Sequence, residues 1–181
     1  IDGNVEVDFS GFKTLIDKMG GIDLYLSQAE ADYICGRNQN VLYPQAERPD
    51  WDLTEGMNHL TGEQALIHAR NRSIGNSDYR RTERQREVLI SVFTEMKSAD
   101  PMTLVELINE AMPLLTTDMD TSQILGYAME IVTMGIDEVE SYRIPANGMY
   151  SSAVIRKMQV LVPDLNLCRA YLKEILYGDV G

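Results

Sequence analysis

A mixed α/β fold is predicted by three features of this 181-residue sequence. Near its start, the strand-like phrase Val5-Glu6-Val7 runs into Phe9, Phe12, Ile16 and Met19, which recur at helical spacing. Gly20-Gly21 closes that helix, and Ile22 to Leu26 reads as a strand directly after it. Further on helical patterns dominate, yet the short β-rich phrases Val139 to Ile144 and Val160 to Val162 return between them.

Taken in order, the first helix has Asp8 or Ser10 available as its cap. Residues 36–52 contain Pro44, Pro49 and few periodic apolar positions, so they read as a long surface loop. Trp51 at its end is a packing anchor or a ligand contact. Thr61-Gly62-Glu63-Gln64 is a capping box, in which the Thr61 hydroxyl and the Gln64 side chain satisfy each other's backbone donors. It opens a short helix through Ala65, Leu66 and Ala69. A long helix follows from about Asp78 to Lys97. Asp100-Pro101 begins the next as cap and first residue, with Leu104, Leu107, Ile108 and Ala111 spaced for burial. A further helix would bury Ile124, Leu125, Ala128, Ile131 and Val132. The last begins near Asp164, would bury Leu165, Cys168, Leu172 and Ile175, and stops at Gly178.

The length suits one domain over residues 1–181, and 44% hydrophobic with 24% charged residues is ordinary for a globular chain. A net charge of −12 argues against sequence-independent binding to DNA, so no nucleic-acid partner is expected. No apolar run approaches the roughly 18 residues of a membrane helix, and no signal peptide is visible. The chain opens on Ile1 and is almost at once in a strand, as a piece of a longer protein would be. Cys35 and Cys168 allow one disulfide or two free thiols. His59 and His68 have no carboxylate at ligand spacing, so no metal ligands are assigned.

Against this acidic background, residues 68–86 hold six of the eleven arginines (Arg70, Arg72, Arg80, Arg81, Arg84, Arg86) and no lysine. A guanidinium offers a planar fork of donors matched to phosphate or carboxylate, so an anion is expected there. With Ser77 or Asp78 as cap, the helical period places Asp78, Arg81, Gln85, Val88 and Val92 in one stripe, polar for two turns and apolar afterwards. Its polar end lies at the positive pole of the helix. Arg70 and Arg72, two apart in an extended segment, would close on that pole from across the loop. Such a site suits an anionic head with a hydrocarbon tail. The plainer alternative is a solvated helix carrying local ion pairs over an ordinary core.

Several phrases together resemble the LytR–CpsA–Psr family. They are Val5-Glu6-Val7-Asp8-Phe9-Ser10-Gly11-Phe12, Gly20-Gly21-Ile22, Leu60-Thr61-Gly62 with Ala65-Leu66, Arg70-Asn71-Arg72, and Asp78-Tyr79-Arg80-Arg81-Thr82-Glu83-Arg84-Gln85. The motif-bearing part covers residues 1–97, while 98–181 resembles the family's variable, mostly helical C-terminal part only in general character. The resemblance implies an α/β/α sandwich with a central mixed sheet flanked by helices. It also implies an extracytoplasmic, membrane-anchored phosphotransferase. Such an enzyme attaches a glycopolymer, teichoic acid or capsule, from a polyprenyl-pyrophosphate carrier to peptidoglycan, with magnesium at the pyrophosphate. By position, Arg70, Arg72, Arg81, Arg84 and Gln85 would contact the pyrophosphate, and Asp78, Arg81 and Arg70 would act in the transfer. Val88, Leu89 and Val92 would line the lipid pocket. The family's N-terminal segment, which supplies magnesium-binding aspartates, further arginines and sheet strands, has no counterpart in these residues. The membrane anchor would lie there too. A non-catalytic binder of an anionic polyprenyl phosphate and a regulator of cell-envelope processes remain the alternatives.

Overall fold

The computed structural model describes residues 3–37, 49–75, 78–134 and 139–178, with the Asp78 side chain excepted. They fall into two compact units, residues 1–137 and 138–181.

In the first unit, β1 (Val5–Val7) leads into α1 (Phe9–Lys18), and of the two predicted caps it is Asp8 that serves, accepting from the Gly11 N–H at 2.7 Å. Gly20 and Gly21 end the helix with φ of 93° and 112°, backbone that side-chain-bearing residues rarely adopt. Strand β2 (Ile22–Leu26) alternates buried and exposed, so Ile22, Leu24 and Leu26 enter the core together. Its antiparallel partner is β3 (Gly56–Leu60), in register from Ile22↔Leu60 to Leu26↔Gly56. Between them comes α2 (Gln28–Ile34), opened by a Ser27/Glu30 capping box. The sequence reading passed over both α2 and β3.

The remaining elements of this unit are α3 (Gly62–Arg70), α4 (Asp78–Ser98), α5 (Pro101–Ala111), a 3-10 turn, β4 (Leu115–Thr117) and α6 (Thr121–Thr133). The Thr61/Gln64 capping box and the Asp100 cap form as read. Strand β4 pairs antiparallel with β1. The core joins Ile16, β2, Ala31 and Ile34 of α2, Ala65 and Ala69 of α3, and Val88 of α4. Trp51 packs partly against it, so it is a packing anchor, while most of the predicted loop (38–48) lies outside the described residues. Helix α6 buries its apolar residues only halfway.

Within the second unit, β5 (Tyr150–Ile155) and β6 (Met158–Pro163) form a hairpin followed by α7 (Leu165–Tyr177). Two expectations are corrected here. Residues 139–144 form no strand, and the partner of β6 is β5 instead. Of the four residues expected to be buried on α7, only Cys168 is buried, while Leu165 and Leu172 are exposed. Both cysteines are free thiols. The mixed α/β class stands. Among the described residues, however, the strands pair two by two in three antiparallel ribbons, so the continuous central sheet is not seen there. None of the described helices is long and apolar enough to cross a membrane.

One cross-strand pair yields a pH test. His59 lies opposite Asp23, with Nδ1 2.6 Å from the carboxylate and Nε2 2.7 Å from the Gly20 carbonyl. Both partners accept, so both ring nitrogens must carry protons. The Asp23 carboxylate first, and the Gly20 carbonyl second, hold the imidazole above its usual 6.5. A raised folded pKa means stability that is fully present below 6.5 and lost as pH rises through the folded value. The gap in melting temperature between wild type and His59→Asn is therefore expected to shrink as pH is raised above neutrality. A gap that does not vary with pH would refute the protonated pair.

Candidate functional site

Helix α3 and the first two turns of α4 converge on the arginine stretch. Past Arg70 the chain leaves the helix at Asn71, whose Oδ1 accepts from the N–H groups of Ser73 (2.9 Å) and Ile74 (3.3 Å). That side-chain turn folds residues 71–75 back toward α4. Arg84 fastens it there. This guanidinium, only 1% exposed, donates from Nε to Glu30 Oε1 (2.8 Å), from Nη1 to the Asn71 carbonyl (3.2 Å) and from Nη2 to the Ile74 carbonyl (2.9 Å).

Glu30 completes the buried pair, accepting also from the Ser27 hydroxyl and N–H. Burial by itself would raise its carboxyl. The bonds from Ser27 and Arg84, and the nearby His68, outweigh that and bring it down from 4.5 to about 2. The carboxylate is thus charged at any physiological pH, as a partner for Arg84 must be.

With the connection fixed in this way, one cleft of about 730 Å3 gathers residues from α1, α2, α3, the 71–75 connection and α4. Its polar wall is Arg70, Arg72, Ser73, Arg81 and Gln85. Phe9, Tyr33, Leu66 and Ile67 line it as well, and its lining contains no lysine. Arg70, Arg72 and Gln85 have no hydrogen-bond or ion-pair partner among the described residues. The one carboxylate in the lining, Glu63, is met by Lys13 at 2.7 Å and so repels an incoming anion less. A cleft with several uncommitted guanidinium and amide donors binds oxyanions.

The arginines therefore divide. Arg70, Arg72 and Arg81 face the cleft. Arg80 pairs with Glu83 at 2.7 Å on the surface, as the plainer reading expected. Arg84, expected among the pyrophosphate contacts, is instead a buried structural residue with its Nε, Nη1 and Nη2 engaged. Asp78 is the first residue of α4, and its side chain lies outside the described residues. Phe9 and Tyr33 are cleft residues that the sequence pattern does not mark: Phe9 counts there only toward helical spacing, and α2 is not legible.

The expected lipid wall also divides. Val88 is 1% exposed in the core, Leu89 is 61% exposed, and neither lines the arginine cleft. Val92 does line one, an apolar cavity of about 180 Å3 with Leu15, Met19, Met96, Ile108 and Leu115 around it. Among the described residues no three His, Cys, Asp or Glu side chains come together to hold a metal.

Comparison with known proteins places these observations. The family model described as LytR_cpsA_psr matches residues 1–169. The chain is 32% identical over 117 residues to the polyisoprenyl-teichoic acid–peptidoglycan teichoic acid transferase TagV of Bacillus subtilis (strain 168), an alignment spanning 61% of this chain and 26% of that protein. It is 27% identical over 132 residues to the transferase of the same description, TagU, from Enterococcus faecalis (strain ATCC 700802 / V583), covering 72% of this chain and 38% of the relative. The chain thus spans well under half the length of both relatives. A solved structure of TagT bound to LIIa-WTA superposes with a TM-score of 0.70 over 97% of this chain and 60% of that one, at 20% identity, a likeness of fold.

Proposed function

The chain belongs to the LytR_cpsA_psr family, and on that premise we propose that its arginine cleft holds the pyrophosphate of a polyprenyl-pyrophosphate-linked glycopolymer whose transfer to peptidoglycan the whole protein catalyses. The observation that carries this is the meeting of Arg70, Arg72, Arg81 and Gln85 in one lysine-free cleft. As the bond to phosphorus breaks, negative charge moves onto the leaving phosphate, and fixed guanidinium groups stabilise that charge more than they stabilise the bound substrate. Asp78, at the start of α4, is assigned by the resemblance to orient an arginine or assist proton transfer from the acceptor hydroxyl. A cell-wall acceptor would put the reaction outside the cytoplasm, and the resemblance implies a membrane anchor for the whole protein. For the carrier's hydrocarbon the cavity at Val92 is the candidate. At about 180 Å3 it is smaller than the roughly 300–1,000 Å3 of common ligand pockets and takes only a short length of chain.

The described residues supply no ligand set of His, Cys, Asp and Glu for the magnesium implied by the resemblance. The uncommitted donors of Arg70, Arg72 and Gln85 also suit a second reading, a binder of the polyprenyl pyrophosphate without turnover. Transfer of a lipid-linked glycan to peptidoglycan by the full-length protein separates the two. Arg81→Lys keeps the charge but loses the fork, and is expected to cost roughly 1–3 kcal/mol of transition-state stabilisation, read as a lower kcat/KM. An unchanged rate would remove Arg81 from the site. No transfer by wild type, with binding intact, would leave the binder.

A further inference from the structure

We propose that Phe9 is a positioning residue for Arg70, holding the guanidinium over its ring at the cleft so that Arg70 meets a phosphate already placed and with its donors free. The inference rests on the reading of the cleft as a pyrophosphate site. Its starting point is a reversal of expectation: Ile16 of the same helical stripe is 1% exposed, but Phe9 is 58% exposed. A single exposed aromatic needs no explanation, but what this one touches does. Arg70 Cζ lies 4.4 Å from the Phe9 ring centroid, inside the range in which a cation is attracted to the negative face of an aromatic ring. Both residues line the cleft.

Two properties of this contact matter for anion binding. A long, exposed arginine loses rotamer freedom when a ligand fixes it, and a ring that already restrains it takes much of that loss before the ligand arrives. The contact also consumes no hydrogen-bond acceptor. Arg70 has no ion-pair or hydrogen-bond partner among the described residues, and Glu63 of the cleft lining pairs with Lys13 instead. Phe9 is itself well anchored as the first residue of α1. Asp8 caps that turn, and the preceding strand β1 is paired with β4.

The test is a double-mutant cycle read by binding of farnesyl pyrophosphate, with thermal unfolding of each protein alongside. Phe9→Leu keeps an apolar side chain and removes the ring, and is expected to weaken binding roughly two- to fivefold, the scale of an exposed cation–π contact. Phe9→Tyr should restore it. In an Arg70→Ala background, Phe9→Leu should have no further effect, because its action passes through Arg70. The Arg70 Nε–H resonance in the ligand-free protein should also move in Phe9→Leu, where the ring current is lost. Equal weakening by Phe9→Leu with and without Arg70, or an unmoved Arg70 resonance, would overturn the proposal. If Arg70→Ala weakens binding while Phe9→Leu does not, the positioning role alone falls. If Arg70→Ala binds as wild type, the pyrophosphate reading of Arg70 falls, and the role of Phe9 falls with it.

Discussion

Arg84→Ala is expected to destabilise the fold by about 3–5 kcal/mol, the range for removing one partner of a buried ion pair. The loss has two parts. Glu30 is left charged and buried without its cation, and the carbonyls of Asn71 and Ile74 lose the donor that ties the 71–75 connection to α4. Arg84→Lys should recover little, since one ammonium cannot reach three acceptors set around a planar fork. Urea unfolding measures both. The pH dependence adds an internal check. The Glu30 carboxyl is depressed to about 2 from 4.5, so the pair's stabilisation is present above 4.5 and lost as pH falls toward 2. The gap between wild type and Arg84→Ala should therefore narrow in acid. A variant that unfolds like wild type but binds pyrophosphate poorly would restore Arg84 to the ligand site.

Gly62→Ala is expected to cost on the order of 3 kcal/mol, the upper part of the range for overpacking. Gly62 opens α3 hard against α1, and a Cβ there would collide with the Lys13 backbone, including its carbonyl oxygen. Backbone cannot turn aside as a side chain can, so α1 and α3 must separate. The bond from the Gly62 N–H to Asp17 Oδ1, 2.7 Å long, would be strained with them. Gly126 in the interior of α6 is the control, because nothing lies within 4 Å of the Cβ it would gain. Gly126→Ala should stabilise by about 1 kcal/mol through helix propensity. Similar melting temperatures for the two variants would contradict the close approach of α1 and α3.

What could be read from the sequence was mostly local. Asp8, Thr61 with Gln64, and Asp100 cap the helices expected of them, and Asp164 caps the helix expected to begin near it, because a cap is decided within three or four residues. The same signal was present for α2, where Ser27 and Glu30 form a capping box, but a seven-residue helix is too short to show a periodic stripe. Helical phase brought Arg81 and Gln85 to one face. It could not show that Arg84 turns inward, because that depends on Glu30, 54 positions away. Nor could it show that Phe9 turns outward to Arg70. The β5–β6 hairpin was hidden by its turn: Arg156 and Lys157 sit at φ of 52° and 66°, where Asn-Gly is the usual signature.

The central claim is that pyrophosphate binds where Arg70, Arg72 and Arg81 meet, and the most direct measurement follows arginine Nε–H resonances by NMR as farnesyl pyrophosphate is added. The signals of Arg70, Arg72 and Arg81 should move together and saturate with one common Kd, while those of Arg37 and Arg143 stay in place. Saturable movement at Arg37 or Arg143 with the three cleft arginines unmoved, or no saturable movement at all, would contradict it.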